Sequence, residues 1–287
     1  MLVELKNTTR KLCVIGDPVL HSKSPLIQNT LLQALGLDYI YLCQPVRAGE
    51  AGRWLEAAKT AGYAGFNATM PHKEELLPLM DGLDEDARLY GSVNTVCIRD
   101  GRAYGCNTDG KGFVQALADA GVEVKGRRVV LLGAGGAAKA VSLKLVQQGA
   151  ASVTVCNRTR ERAAALCAHA PGVMRPAAFD PDSLQREAGA ADLLVNCTSL
   201  GMEGTMSQFD SLSFLEALPR DAAVCDLIYH PAETALLARA RELGHPALNG
   251  LGMLIHQAIF ALELFTGCEL DRPAMRRLAE AALAAAE

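Results

Sequence analysis

The run VVLLGAGGAAKAV, Val129 to Val141, narrows the possible folds more than any other segment of the chain. An apolar strand ends at Gly133, and Gly133-Ala134-Gly135-Gly136-Ala137-Ala138 opens a helix. Gly133 permits a tight turn, Gly135 lets the backbone approach a pyrophosphate, and Ala138 is small enough for close helix–strand packing. The helix start adds free N–H groups and positive potential for phosphates. Strand, glycine turn and helix in this order predict a parallel α/β sheet that binds a dinucleotide. Gly133, Ala134, Gly135, Gly136 and Ala137 are then the expected cofactor contacts.

The end of the next strand indicates which dinucleotide. An NAD site places Asp or Glu there, about 20 residues on, to bind the ribose hydroxyls. This chain has CNRTRER, Cys156 to Arg162. A carboxylate repels a 2′-phosphate, whereas a guanidinium pairs with it in a bidentate fork and stacks on adenine. Asn157, Arg158, Thr159 and Arg162 are the expected contacts, and Arg160 reads as a solvated residue of the helix start. NADP(H) is the expected cofactor.

The whole chain alternates short apolar runs with longer amphipathic ones, which predicts an α/β architecture. KLCVIG, DYIYLCQPV and YAGFNAT read as strands, with helices SPLIQNTLLQAL and EAGRWLEAAKTA between them. SVNTVCIRDGRAYGCN reads as a hairpin turning at Asp100-Gly101. From KGRRVVLLG onward the units become regular strand–helix pairs, with strands RRVVLLG, SVTVCN, ADLLVNCT and AAVCDLI. LNGLGMLIHQAIFALELFTG reads as a long helix with a glycine-rich entry. Two domains follow: residues 1–108, with 249–287 returning to pack on them, and a Rossmann-like domain over 109–248.

Composition excludes several function classes. The 287 residues carry 28 Lys and Arg against 32 Asp and Glu, a net charge of -4, and no window concentrates basic residues. A nucleic-acid surface is not expected. Nine irregularly spaced cysteines with no C-x-x-C pair argue against a disulfide framework or a metal site, and for free thiols in a reducing compartment. MLVELKNTTRKLCVIG has no signal-peptide apolar region, and no apolar run is long enough to span a membrane. The expectation is a cytoplasmic protein, monomer or homodimer, acting on a small molecule.

FNATMPHKE, Phe66 to Glu74, raises the question of its chemistry. Taken locally, it is a helix start: Thr69 as N-cap, Pro71 near the first helical position, and Glu74 and Glu75 complementing the helix dipole. Other polar clusters lie at comparable places: Ser22 and Ser24 in HSKSP, Asn94 in GSVNT, Asp109 in NTDG and Gln257 in GMLIHQA. Each alone is a cap, an Asx-turn or a hairpin partner. Together they occupy loop ends of one α/β domain, where a ligand crevice is expected.

HSKSP, NATMPHK, GSVNT, NTDG, GAGGAAKA, NRT, DLIYHP and GLGMLIHQA, in this order, resemble the shikimate dehydrogenase family over almost the whole chain. The resemblance implies NADP-dependent interconversion of 3-dehydroshikimate and shikimate in aromatic biosynthesis, in a cleft between two domains. It implies Lys73 and Asp109 as the catalytic pair, with the residue that moves the proton left open. Ser22 and Ser24 would hold the substrate carboxylate; Thr69, Asn94 and Gln257 would bind ring hydroxyls; Asn67 and Tyr229 would border the pocket. Leu227 and Gly250 would line the nicotinamide side. His21, His72 and His256 adjoin motifs without a need in the chemistry. Ala68 and Ser92 depart from the usual Val and Ala, and Ser92 is expected to alter the pocket's polarity. The rivals are a quinate/shikimate enzyme with relaxed cofactor use, and a non-catalytic NADP-binding sensor.

Overall fold

The computed structural model describes residues 5–204 and 207–286. The chain forms two compact units, Met1–Gly112 with Ile255–Glu287, and Phe113–Leu254. The first unit carries β1 (Arg10–Gly16), α1 (Ser24–Ala34), β2 (Tyr39–Pro45), α2 (Ala51–Thr60), β3 (Tyr63–Ala68) and the single-turn α3 (His72–Glu75). These are followed by β4 (Gly82–Leu83), α4 (Glu85–Tyr90), β5 (Thr95–Arg99) and β6 (Arg102–Cys106). The sheet order is β2-β1-β3-β5-β6-β4, with β5 antiparallel to both neighbours and the other pairs parallel. Asp100 and Gly101 join β5 to β6 with φ of 51° and 73°. Both central residues at positive φ match the right-handed strand twist, as Asp-Gly in a two-residue hairpin predicts.

The next helix, α5 (Asp109–Asp119), leads into the second unit. There follow β7 (Arg128–Leu132), α6 (Gly136–Gln147), β8 (Ser152–Cys156), α7 (Arg160–Cys167), β9 (Met174–Ala177) and α8 (Pro181–Ala188). After them come β10 (Leu193–Asn196), β11 (Ala223–Asp226), α9 (Ala235–Glu242), β12 (Ala247–Leu248), α10 (Leu251–Thr266) and α11 (Arg272–Ala284). The strands run β9-β8-β7-β10-β11-β12, all parallel. This is the doubly wound order, with its switch point between β7 and β10. The short β4, β9 and β12 have no counterpart among the strands read from sequence, because GL, MRPA and AL lack an apolar run.

Both crossings between units occur inside helices. Sequence boundaries at 108/109 and 248/249 fall just ahead of α5 and α10, whereas the units divide after Gly112 and Leu254. The first turn of each helix belongs to the unit it leaves, and a pattern read from sequence breaks at loops.

On one face of the first unit's sheet, Cys13, Ile15, Phe66, Ala68, Val96 and Ile98 meet Leu55 of α2 and Leu76. Ala68 belongs to this cluster, so its departure from Val is a matter of packing. The second unit buries Leu132, Leu194 and Val224 against Leu184, Phe214 and Leu237. α10 approaches the first sheet closely: a Cβ on Gly65 would lie 2.7 Å from the Phe265 ring. Among the described residues no helix is long and apolar enough to cross a membrane.

All nine cysteines are free thiols, and only Cys268 is exposed. Burial pushes Cys97 and Cys167 up to about 11, and Cys106, Cys156 and Cys225 up to about 12. A buried thiol so shifted has almost no thiolate at neutral pH. One thiol per chain is therefore expected to react rapidly with an aromatic disulfide reagent in the native protein, and all nine in denaturant. Rapid native reaction of Cys106 or Cys197, located by mass spectrometry, would contradict this assignment.

Candidate active site

The single antiparallel strand of the first sheet explains how distant motifs converge. β1 and β3 end, β5 begins and β6 ends at the same edge, since Asn67 pairs with Thr95 and Thr95 pairs with Cys106. That edge carries the loop to α1, the loop to α3, Asn94 ahead of β5, and Asn107 to Asp109 after β6. The Thr69 N–H donates to Ile15 O at 2.9 Å, and a Cβ on Gly16 would lie 2.4 Å from Thr69 Cγ2. Glycine at 16 is what admits Thr69 to the end of β1.

HSKSP folds into the start of α1. Ser24 is its first residue and Pro25 its second, where the missing proline N–H costs nothing. The Ser22 N–H donates to Val19 O at 3.0 Å, and the Ser24 N–H donates to Ser22 Oγ at 3.2 Å. Two hydroxyls thus flank a helix N-terminus, a place that favours an anion. Gln28, a turn further along α1, donates to the Ala258 carbonyl at 2.9 Å. This bond ties α1 to α10 beside Gln257.

α3 is only four residues long and is not capped by the Thr69 hydroxyl, as the local reading expected. Pro71 holds the cap position without a side-chain bond, and the Thr69 carbonyl accepts from the His72 N–H at 3.0 Å. What secures the turn is His72. Its ring is fully buried, with Nε2 2.8 Å from Val46 O and Nδ1 3.0 Å from Glu75 Oε2. Glu74 and Glu75 lie in the first turn of α3, and Glu75 has a further partner. It accepts from the Ala51 N–H at 3.0 Å, at the start of α2. Burial works against its ionisation, but the bonds from His72, Ala51 and Gly49 outweigh it and hold the carboxyl below the usual range.

Lys73 Nζ donates to Asp109 Oδ2 at 2.6 Å. The lysine side chain is 28% exposed and the aspartate 9%, so the lysine is partly open to solvent while the aspartate is enclosed. Asp109 Oδ1 accepts from Asn94 Nδ2 at 2.8 Å. The Lys73 carbonyl accepts from the Val93 N–H at 2.7 Å, which joins α3 to the GSVNT segment. Asn107 prepares the first residue of α5 by accepting the Asp109 N–H at 3.1 Å. Ser92 Oγ and its carbonyl accept from Asn107 Nδ2 at 3.0 and 2.9 Å. The Ser92 hydroxyl is buried in this support and does not set the polarity of a pocket.

In the second unit, Gly133 has φ of +102° and would place a Cβ 3.0 Å from Thr198 Cγ2. Among the described residues nothing lies within 4 Å of a Cβ built on Gly135 or Gly136, so the turn presents open backbone. Asn157 Nδ2 donates to Thr159 O at 2.8 Å and shapes the turn ahead of α7. Arg158 and Arg162 are exposed. This donor set suits a dinucleotide with a 2′-phosphate: free backbone at a helix start, and guanidinium groups with no carboxylate at the strand end. Leu227 follows β11, and Gly250 precedes α10. A Cβ on Gly250 would lie 2.0 Å from Leu227 O.

Tyr229 belongs to this second unit too, in the loop held by Asp226. Asp226 accepts from the Ile228 N–H at 3.1 Å and Asn196 Nδ2 at 3.0 Å, and from the Thr234 hydroxyl at 2.7 Å. Burial raises its carboxyl above the ordinary value despite these bonds. The motif DLIYHP gave no reason to single out Asp226, although a carboxylate at a strand end followed by a turn is the available signal.

Comparison with known proteins matches most of the chain. A profile of the shikimate dehydrogenase substrate binding domain covers residues 14–96, one of shikimate / quinate 5-dehydrogenase covers 116–203, and one of the shikimate 5'-dehydrogenase C-terminal domain covers 250–280. The NADP(+) shikimate dehydrogenase of Alkaliphilus metalliredigens is 41% identical, over 97% of this chain and 99% of that protein.

The chain belongs to the shikimate dehydrogenase family.

Solved relatives agree with this placement. The shikimate 5-dehydrogenase of Thermus thermophilus, crystallised with NADP(H) and shikimate, is 35% identical with a TM-score of 0.83, over 95% of this chain and 99% of that one. Quinate dehydrogenase of Corynebacterium glutamicum, crystallised with NAD, is 34% identical with a TM-score of 0.85, over 94% and 98%. In this family member the first unit gathers Ser22, Ser24, Asn67, Thr69, Lys73, Asn94, Asp109 and Gln257. The second carries Gly133 to Ala137, Asn157 to Thr159, Arg162, Leu227, Tyr229 and Gly250.

Proposed function

We propose that this chain is a shikimate dehydrogenase that reversibly reduces 3-dehydroshikimate to shikimate with NADPH. The observation that carries the reading is the Lys73–Asp109 pair at 2.6 Å, with its lysine side chain partly exposed, at the strand edge that also bears the Ser22–Ser24 helix start. Bound NADPH would supply the hydride to the ketone carbon, held by the glycine turn and by Arg158 and Arg162. Reduction leaves an oxygen that must gain a proton. Lys73 stabilises the growing negative charge and donates that proton from Nζ, and its neutral amine takes the proton back in the reverse direction. Asp109 orients the lysine: both its oxygens are occupied, by Lys73 and Asn94.

Ser22 and Ser24 bind the substrate carboxylate, and Thr69, Asn94 and Gln257 select for ring hydroxyls. A buried donor left unpaired by a wrong substrate costs about 1–3 kcal/mol, a route to discrimination. The experiment is nicotinamide reduction by the purified protein with shikimate or quinate, each against NADP and NAD. Turnover with shikimate and NADP is expected to dominate. Arg158→Ala is expected to raise KM for NADP by about ten- to a hundredfold, the loss of a charged hydrogen-bonded pair, with KM for NAD little changed. Equal use of quinate or NAD by the native protein would place it with the quinate relatives. Tight NADP binding without turnover on either substrate would make it a sensor.

A further inference from the structure

A buried chain of hydrogen bonds runs from β2 to the Lys73–Asp109 pair. The Tyr41 hydroxyl donates to Asn67 Oδ1 at 2.7 Å. Asn67 Nδ2 donates to Thr95 Oγ1 at 2.9 Å and to the Asn94 carbonyl at 3.1 Å. The Thr95 hydroxyl donates to Asn94 Oδ1 at 2.8 Å, which also accepts the Thr108 N–H at 2.9 Å. Asn94 Nδ2 then donates to Asp109 Oδ1. Tyr41, Asn67, Asn94, Thr95, Thr108 and Asp109 are all buried.

Two backbone groups fix the direction of every bond. The Asn94 carbonyl only accepts, so Asn67 turns its amide NH2 toward it and its Oδ1 toward Tyr41. Tyr41 must therefore donate, and burial, which pushes its phenol far above the ordinary value, keeps that proton in place. The Thr108 N–H only donates, so Asn94 turns its Oδ1 there and its NH2 toward Asp109. Thr95 already accepts from Asn67 and passes its own proton to Asn94. The chain reaches Asp109 as an N–H donor on Oδ1, opposite the lysine on Oδ2.

β1 lies between Tyr41 on β2 and Asn67 on β3. Two strand spacings amount to about 10 Å, which only a long side chain bridges. Apolar residues of similar shape would fill this space without requiring each donor to find an acceptor, and a partly satisfied network is worse than none. The polar choice therefore has a purpose beyond packing.

We propose that Tyr41 and Thr95 are positioning residues which, through Asn67 and Asn94, fix the carboxylate plane of Asp109 and so the direction in which Lys73 presents its proton. This rests on Lys73 and Asp109 being the reacting pair. Asn67 then supports the pair, with its amide bonded to Tyr41, Thr95 and the Asn94 carbonyl.

The test is kcat for shikimate oxidation, as a function of pH, in Thr95→Val, Thr95→Ser and Tyr41→Phe. Thr95→Val keeps the shape and loses the hydroxyl. It is expected to lower kcat by roughly ten- to a hundredfold, the effect of a misplaced catalytic group. KM for NADP should stay unchanged, while the pH profile of kcat is displaced. Thr95→Ser is expected to restore both kcat and profile, and Tyr41→Phe to shift them in the same direction as Thr95→Val by a smaller factor. A lower melting temperature with native kcat and native profile would overturn the proposal, as would a Thr95→Ser no better than Thr95→Val. Should Thr95→Val fail to fold, Tyr41→Phe with a native profile overturns it alone. Absence of shikimate turnover in the native protein would instead sink the reading of the pair itself, and this inference with it.

Discussion

Replacing Lys73 with methionine is expected to lower kcat for shikimate oxidation by about three orders of magnitude, within the range for losing a positioned general acid or base. Methionine keeps the unbranched stem and the single-turn helix, which His72 and Glu75 hold independently of residue 73. NADP binding, measured by calorimetry, is expected to be unchanged, because the proposed cofactor contacts lie in the second unit. Lys73→Arg separates two roles of the side chain. A guanidinium keeps the positive charge beside Asp109 but does not give up a proton in a protein. If charge stabilisation alone matters, Lys73→Arg should recover most of the rate; the proposed proton donation requires that it stay near the methionine variant. A kcat for Lys73→Met within tenfold of native would remove Lys73 from the chemistry.

Gly250→Ala is the second large effect. Its Cβ would lie 2.0 Å from Leu227 O and 2.5 Å from Leu227 C, both backbone atoms with no side-chain rotation to relieve them. The same residue anchors the segment through its own N–H, which donates to Ile228 O at 3.0 Å. Relief requires moving the strand end that bears Leu227, so the cost is at the upper end of overpacking, about 3 kcal/mol. Thermal unfolding should fall by roughly 10 °C for a unit of this size. NADP affinity should drop as well, because the family resemblance implies Leu227 and Gly250 on the nicotinamide side. A variant that melts as native and binds NADP as native would show that the close approach relaxes freely. Gly135→Ala is the contrast, since its Cβ meets nothing within 4 Å. There the folded protein should persist, with any loss confined to cofactor binding.

The glycine turn after β7, the arginines after β8, the Asp100-Gly101 hairpin and the order of the polar motifs were all legible in the sequence. In each, the physical cause is local. A glycine permits a positive φ, a missing carboxylate tolerates a phosphate, and a proline starts a helix, whatever the rest of the chain does. Tertiary structure decided which partners the polar side chains take. FNATMPHKE looked like a helix capped by Thr69, yet no side chain caps it, Glu75 also binds the start of α2 and His72 reaches Val46. Ser92 looked like a pocket residue, yet its hydroxyl holds Asn107. Tyr41 carried no motif, and its bond to Asn67 spans a strand that lies between them. Sequence spacing encodes backbone conformation over a few residues. A buried hydrogen bond is set by strand order and register, which bring residues of remote number together at about 3 Å.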